Sequence, residues 1–330
     1  MSEKRTLGTT NFSVTPVGLG CMGFSHAYGA PTERSEAVKT IRLAADMGYE
    51  FFDTAECYTG ENPDGSISYN EELVGEALQP IRNQVVIATK FGVKHEGFGL
   101  QMDSRPETIR ASVEGSLRKL RTDCIDLYYQ HRIDPKVEPE TVAQVMKDLI
   151  QEGKIRAWGI SEVTEDYLRR AYAVCPVAAV QNSYSMLNRV HEPLFPTLEE
   201  LNVTLVAFSP LGNGFLSGRY HAGDSFSELD FRAHMPQYSE AGFQAASELL
   251  KTLDTLAQEK SATPAQISLA WMLCKKPYII PIPGSRKENR LRENLGAAQV
   301  QLTKEELAKL DGLLENLQMP RFQGAPGPRR

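Results

Sequence analysis

Short apolar runs alternate with amphipathic segments along nearly the whole chain, and this alternation restricts its fold more than any other feature. Runs of strand length stand at Pro16–Gly20, Glu50–Asp53, Val85–Lys90, Ile125–Gln130, Ile155–Ser161, Ala178–Asn182, Thr204–Ser209 and Tyr278–Pro281. Each is followed by a segment with helical spacing: Thr32–Met47, Tyr69–Gln79, Pro106–Leu120, Pro139–Glu152, Thr164–Val174, Glu192–Leu201, Pro264–Cys274 and Lys287–Leu295. Ser104-Arg105-Pro106-Glu107 and Thr263-Pro264 read as helix-capping signals. Strict pairing of eight strands with eight helices predicts an α/β fold of the (β/α)8 TIM-barrel kind.

Three pieces fall outside the repeat. Thr6–Thr15 reads as an N-terminal β-hairpin around Asn11 that covers the barrel bottom, Ser239–Lys260 as one extra helix before the eighth strand, and Lys304–Leu317 as a C-terminal helix. No composition shift marks a boundary, so a single domain over 1–330 is expected, with a Pro/Gly-rich tail, 318–330, that is partly disordered.

Composition sets the outer limits. Hydrophobic residues make up 41% of the 330 and charged residues 24%, enough for a sizeable core. The net charge of -6 argues against a nucleic-acid partner, since phosphate backbones demand a basic footprint. The N-terminal residues carry charge and no apolar run, which speaks against a secretory signal, and no stretch reaches membrane-spanning length. Five widely spaced cysteines with no C-x-x-C pair predict neither a disulfide framework nor a metal site, and point to a reducing, cytoplasmic home.

Active residues in such a barrel sit where the strands end. Here those ends are polar: Asp53, Lys90, His131, Ser161, Gln181-Asn182, Ser209 and Gly284-Ser285. A single one reads as a capping group, but a whole rim of them does not. Asp53, Lys90 and His131 end neighbouring strands and are expected to converge across the mouth, with Tyr58 pointing back from the loop after Asp53. A phenol has an ordinary pKa of ~10, and an ammonium beside it favours the phenolate. Lys90 is therefore expected to lower the pKa of Tyr58, with Asp53 holding the lysine, so that Tyr58 passes its proton to a developing alkoxide.

The chain resembles an aldo-keto reductase over nearly its whole length. The likeness rests on GLGCMGF (18–24), FDTAECYTG (52–60), VIATKFG (86–92), DLYYQHRID (126–134), GKIRAWGISE (153–162), VQNSYSMLNR (180–189), AFSPLGNGFLSGRY (207–220) and IPIPGSRKENRLREN (280–294). It implies NADPH-dependent reduction of a small-molecule carbonyl substrate by a catalytic tetrad of Asp53, Tyr58, Lys90 and His131. It also implies NADPH/NADP+ laid across the mouth without a Rossmann fingerprint. Gly20, Cys21, Met22 and Asp53 would meet the nicotinamide, Ser161 and Gln181 its carboxamide, and Tyr184 its ring face. Ser209, Leu211 and Gly212 would pass the pyrophosphate. Gly284, Ser285, Arg286, Arg290, Glu293 and Asn294 would hold the adenosine end, the last two at the adenine.

Glu162 departs from the asparagine common in the family after the strand-five serine. Arg286, Lys287 and Arg290 crowd a helix start, where free N–H groups and the helix dipole suit an anion, and predict a preference for NADPH through its 2′-phosphate. His191, His221 and His234 read as surface residues. Two other readings stand beside the reductase: a Schiff-base aldolase using Lys90, and a cofactor-binding regulatory subunit of aldo-keto reductase type. Val93–Ser104, Asn213–Tyr238 and the tail are expected to set the substrate, with Phe98, Phe215, Phe226, Phe231 and Phe322 either lining a pocket or packing the loops.

Overall fold

The computed structural model describes residues 3–96, 99–228 and 230–320. Phe98, Phe322 and tail positions 321–330 lie outside them. Eight parallel strands form one sheet: β1 (Leu19–Gly20), β2 (Phe51–Asp53), β3 (Val86–Phe91), β4 (Ile125–Gln130), β5 (Ile155–Ser161), β6 (Ala179–Ser183), β7 (Thr204–Phe208) and β8 (Ile279–Pro281). Neighbours in sequence are neighbours in the sheet. The ring closes where Gly18 N–H donates to the Pro281 carbonyl at 3.0 Å and Gly20 bridges Gly284 in parallel. That seam needs glycine. A Cβ on Gly20 would stand 2.7 Å from the Ile282 carbonyl oxygen, and one on Gly284 2.9 Å from that of Gly20.

Period-two alternation sorts the strand residues into two layers. Phe51, Val86, Ala88, Leu127, Tyr129, Ala157, Ala179, Val206 and Ile280 fill the barrel interior. Phe52, Ile87, Tyr128, Trp158, Ile160, Val180 and Leu205 face the helices and belong to the outer core. Continued to the end of each strand, the inward parity reaches Asp53, Lys90, His131, Ser161, Gln181 and Phe208. The inward set is thus apolar below and largely polar at the top, which is what places a site there.

The expected hairpin forms from Arg5–Thr6 and Ser13–Val14, and Leu7 and Val14 bury themselves in the interior cluster. The helices are α1 (Arg34–Asp46), α2 (Asn70–Leu78), α3 (Pro106–Leu120), α4 (Pro139–Gln151), α5 (Glu165–Val174), α6 (Phe195–Leu201), α7 (Glu240–Ala245), α8 (Ser247–Glu259), α9 (Pro264–Lys275), α10 (Glu288–Gly296) and α11 (Lys304–Glu315). In α4, Val142, Val145, Met146 and Leu149 make the buried stripe at helical spacing. Helix α9 is buried over most of its surface, with α8 among the elements packed on it, and at the expected Thr263-Pro264 start it opens with a capping box of Thr263 and Gln266.

Four details differ from expectation. The extra helix is two, α7 and α8, broken at Ala246 (φ -92°, ψ 2°). The segment from Glu192 starts as a 3-10 turn, Glu192–Leu194, because Pro193 and Pro196 lack the N–H groups of a regular first turn. Ser104 does not cap α3; its Oγ accepts from Gln130 Nε2 at 3.0 Å. Two hairpins, Thr59–Glu61 with Ile67–Tyr69 and Val93–Glu96 with Gly99–Met102, stand where loops were read. Among the described residues no helix is long and apolar enough to cross a membrane.

Candidate active site

Asp53, Lys90 and Gln181 meet inside the top of the barrel. Lys90 is fully buried and its Nζ donates to Asp53 Oδ1 at 2.5 Å, to the Thr54 carbonyl at 2.7 Å and to the Tyr58 hydroxyl at 3.3 Å. Gln181 Nε2 donates to the other Asp53 oxygen at 2.7 Å. Burial works against the charge on Lys90, but Asp53, followed by Tyr58, more than offsets it, so the amine holds its proton above the ordinary lysine range.

Tyr58 was expected to have a lowered pKa. Burial instead pushes it up to about 12, and Lys90 pulls it back only in part. Tyr58 is thus protonated throughout the neutral range, with the Lys90 cation 3.3 Å from its hydroxyl. The His131 ring meets Tyr58 edge-on, centroids 5.7 Å apart. Burial, then the charges of Arg132 and Lys90, hold His131 well below the ordinary histidine value, so it is neutral. All four tetrad residues come together as expected.

Asn70, the first residue of α2, ties the Tyr58 loop to the end of β1. It accepts from Thr54 Oγ1 at 2.6 Å, donates through Nδ2 to the Cys21 carbonyl (2.9 Å) and Ser25 Oγ (2.8 Å), and its N–H bonds the Tyr58 carbonyl at 3.0 Å. Sequence reasoning assigned it only to a helix start. The Asn-Glu pair opening a helix soon after Tyr58 was the available signal.

The remaining candidates ring the mouth. Cys21 is buried and its N–H bonds the Asp53 carbonyl, and Met22 begins a short 3-10 turn. Ser161 Oγ accepts from Arg132 Nη1 at 3.1 Å. Ser209 (φ 50°) and Gly212 (φ 56°) make a tight turn, with Gly212 N–H on the Ser209 carbonyl, and Leu211 packs against the core. Phe208, one residue earlier, joins the interior cluster and lies under the Arg132 guanidinium at 5.9 Å. It offers the flat apolar face that Tyr184 was expected to supply. Tyr184 has the outward parity: fully buried, it stacks on Trp271 in the helix layer and donates to Glu192.

Glu162 is engaged by its neighbours in β6 and the loop after it. Its backbone is left-handed (φ 55°) and its Oε1 accepts the Ser183 N–H at 2.8 Å. Its other oxygen lies 3.7 Å from His191 Nε2. His191 is therefore a buried partner of Glu162 and not the surface residue it was read as, whereas His221 and His234 are exposed.

At the end expected to hold the adenosine, Gly284 and Arg286 are exposed and Ser285 Oγ accepts the Lys287 N–H. Arg286 donates to the carbonyls of Tyr28 and Ala30, and Arg290 pairs with Glu293 at 2.5 Å. Glu293 Oε1 is buried with no hydrogen-bond partner among the described residues, and Asn294 is buried beside it in the chain. Phe215 and Phe226 pack the loops. They pack with Tyr220, Tyr238 and Phe243, while Arg232 sits over Tyr28, Tyr220 and Phe226 and pairs with Asp230. Phe231 is 41% exposed.

The Aldo/keto reductase family model matches residues 16–315. A probable aldo-keto reductase 1 of Glycine max is 37% identical over 307 residues, 92% of this chain and 86% of that protein. Aldo-keto reductase str7 of Strobilurus tenacellus is 38% identical over 318 residues, 93% and 91% of the two chains. Among solved structures, a glycerol dehydrogenase of Gluconobacter oxydans matches with a TM-score of 0.84 at 27% identity, covering 98% of both chains. An aldo-keto reductase of Klebsiella pneumoniae in complex with NADP and acetate matches with 0.71 at 26%, covering 96% of this chain and all of that one (100%).

Proposed function

The chain belongs to the aldo/keto reductase family, and from that premise we propose that it reduces aldehydes or ketones to alcohols with NADPH, Tyr58 giving the proton. The observation that carries this reading is the Tyr58 hydroxyl 3.3 Å from a Lys90 amine that is itself locked onto Asp53.

The residues present fit such a cofactor. The Gly20–Gly284 seam packs backbone on backbone and brings no side chain to the mouth. Phe208 supplies a flat apolar face and Ser161 and Gln181 supply polar groups on the same inward parity. Glu293 Oε1, a buried acceptor without a partner, suits an amine at the adenine end. Arg286, Lys287 and Arg290 stand at the start of α10, where N–H groups and the dipole favour a phosphate. Bound NADPH would supply the hydride.

The chain's own work is then proton delivery. A developing alkoxide is a stronger base than a phenolate, so Tyr58 passes its proton downhill even with its pKa raised to about 12. Lys90 steadies the phenolate that results, and Asp53, fixed by Gln181, keeps Lys90 charged and aimed. His131, neutral, contributes a hydrogen bond to the carbonyl oxygen. The same commitments speak against Schiff-base chemistry: a nucleophilic lysine must lose its proton, and Lys90 is buried, charged and held by three acceptors.

An NADPH-oxidation screen across aldehydes, ketones and sugars tests the proposal, with Tyr58→Phe as its control. Loss of the general acid should slow reduction by roughly 10²–10⁴-fold while NADPH still binds. Near-normal turnover by Tyr58→Phe, or tight NADPH binding with no carbonyl turned over by the native protein, would refute it, the latter in favour of a regulatory subunit.

A further inference from the structure

His131 is 8% exposed and neutral. A neutral imidazole carries one N–H, so one ring nitrogen donates and the other accepts. Only the donating nitrogen helps a carbonyl oxygen that is gaining negative charge. Which nitrogen that is depends on what the other one meets.

Nδ1 lies 3.4 Å from Cys57 Sγ, and Nε2 is the nitrogen left for a substrate. Cys57 is 8% exposed, in a small cluster with Ala55 and Val93 that Tyr58 packs against, separate from the main core. Burial pushes its thiol up to about 12, so the sulfur keeps its hydrogen. The residue is held in place independently: its ring meets Tyr58 at 84°, and its backbone N–H bonds the Phe91 carbonyl at 3.1 Å. Consecutive residues of one loop thus address the two proton-bearing partners of the mouth, Tyr58 reaching Lys90 and Cys57 reaching His131.

We infer that Cys57 is a positioning residue: its S–H donates to His131 Nδ1 and fixes the imidazole as the Nε2–H tautomer, the form that donates to a substrate carbonyl. The opposite arrangement, Nδ1–H donating to sulfur, strands the thiol hydrogen in an apolar cluster and turns an Nε2 lone pair toward the lone pairs of the carbonyl oxygen. A thiol is a weak donor, and here its worth lies in choosing between two tautomers of similar energy. The role in reduction rests on the reductase reading, whereas the tautomer itself does not.

Long-range 1H–15N spectra of 15N-histidine protein read the tautomer directly, with the His131 signals assigned by their loss in His131→Gln. The wild type should show His131 with Nε2 protonated and Nδ1 bare, and Cys57→Ser, which keeps a donor, should match it. Cys57→Val should shift His131 toward a mixture and lower kcat/KM for carbonyl reduction by about 3- to 10-fold, the worth of one neutral hydrogen bond, with Cys57→Ser recovering most of the loss. A wild type with Nδ1 protonated overturns the inference, whether or not any variant folds. So does a Cys57→Val protein that slows without a change of tautomer, since the thiol would then act by packing alone. If no carbonyl is reduced at all, the reductase reading fails and the spectra still decide the tautomer.

Discussion

Replacing Lys90 with Met tests the Asp53–Lys90–Tyr58 triad along two separate axes. The amine is fully buried and donates to Asp53, Thr54 and Tyr58. Without it Asp53 keeps Gln181 as its side-chain donor, at 2.7 Å, in a layer closed to water. Removing one partner of a buried pair costs about 3–5 kcal/mol. Unfolding entropy of ~2.1 cal/mol/K per residue gives roughly 0.7 kcal/mol/K for a chain this long, so the Tm should fall by about 4–7 °C near neutral pH. The sign of the pH dependence comes from Asp53. Burial pushes its carboxyl up even with Lys90 pulling it back, and the variant loses that pull. A carboxyl with a raised folded pKa stabilises the fold fully below its unfolded value of ~3.9 and loses that contribution as pH rises through the folded one. The variant is therefore closest to wild type at pH 5 and falls further behind by pH 8. On the chemical axis, a unit charge 3.3 Å from the phenolate oxygen is worth about 5 kcal/mol at an effective dielectric of ~20. With about half of that cancelled by Asp53, turnover should drop roughly 10²-fold. Thermal melts at pH 5 and pH 8, beside NADPH oxidation, read both axes. An Asp53→Asn/Lys90→Met protein should regain most of the Tm and none of the rate. An equal Tm loss at both pH values, or a double variant as unstable as the single, refutes the account of a buried charge left unpaired.

Arg286→Ala with Arg290→Ala should raise the Kd for NADPH about 10- to 100-fold, the range of a lost charge-assisted contact, and leave NADH binding nearly unchanged; fluorescence titration with both cofactors checks this, and equal weakening would show that the start of α10 does not read the 2′-phosphate. Asn70→Ala leaves the Thr54 hydroxyl without its acceptor and takes one of two hydrogen bonds each from the Cys21 carbonyl, which keeps the Phe24 N–H, and Ser25 Oγ, which keeps the Tyr58 carbonyl. At about 1–3 kcal/mol for the one buried group left unsatisfied and roughly 0.7 kcal/mol/K of unfolding entropy, the Tm should fall by about 1–4 °C and reduction should slow a few-fold, because the Tyr58 loop loses the side-chain part of its tie to β1. Unchanged values of both would show the network to be incidental.

What could be read from the sequence was whatever strand periodicity encodes. Asp53, Lys90, His131, Ser161 and Gln181 all share the inward parity of their strands, and that parity is written in consecutive residues. The same rule shows why the assignment of Tyr184 slipped. Phe208 has the inward parity in β7, and the next residue, Ser209, begins a left-handed turn (φ 50°). Tyr184 has the outward parity and ends against Trp271. Side chains leaving the loops obey no such period. Glu162, turned by φ 55° onto the Ser183 N–H, and His191, buried against it, are aimed by a backbone conformation that distant contacts decide. Tyr58 carries the point into energetics. A lysine beside a phenol is a local fact, and it predicts a lowered pKa. The depth at which the phenol lies is a property of the closed barrel, and burial outweighs the lysine, leaving the pKa at about 12. The chemistry we propose is set by that balance: Tyr58 would give its proton as an acid still protonated through the neutral range, and Lys90 would act on the phenolate left behind.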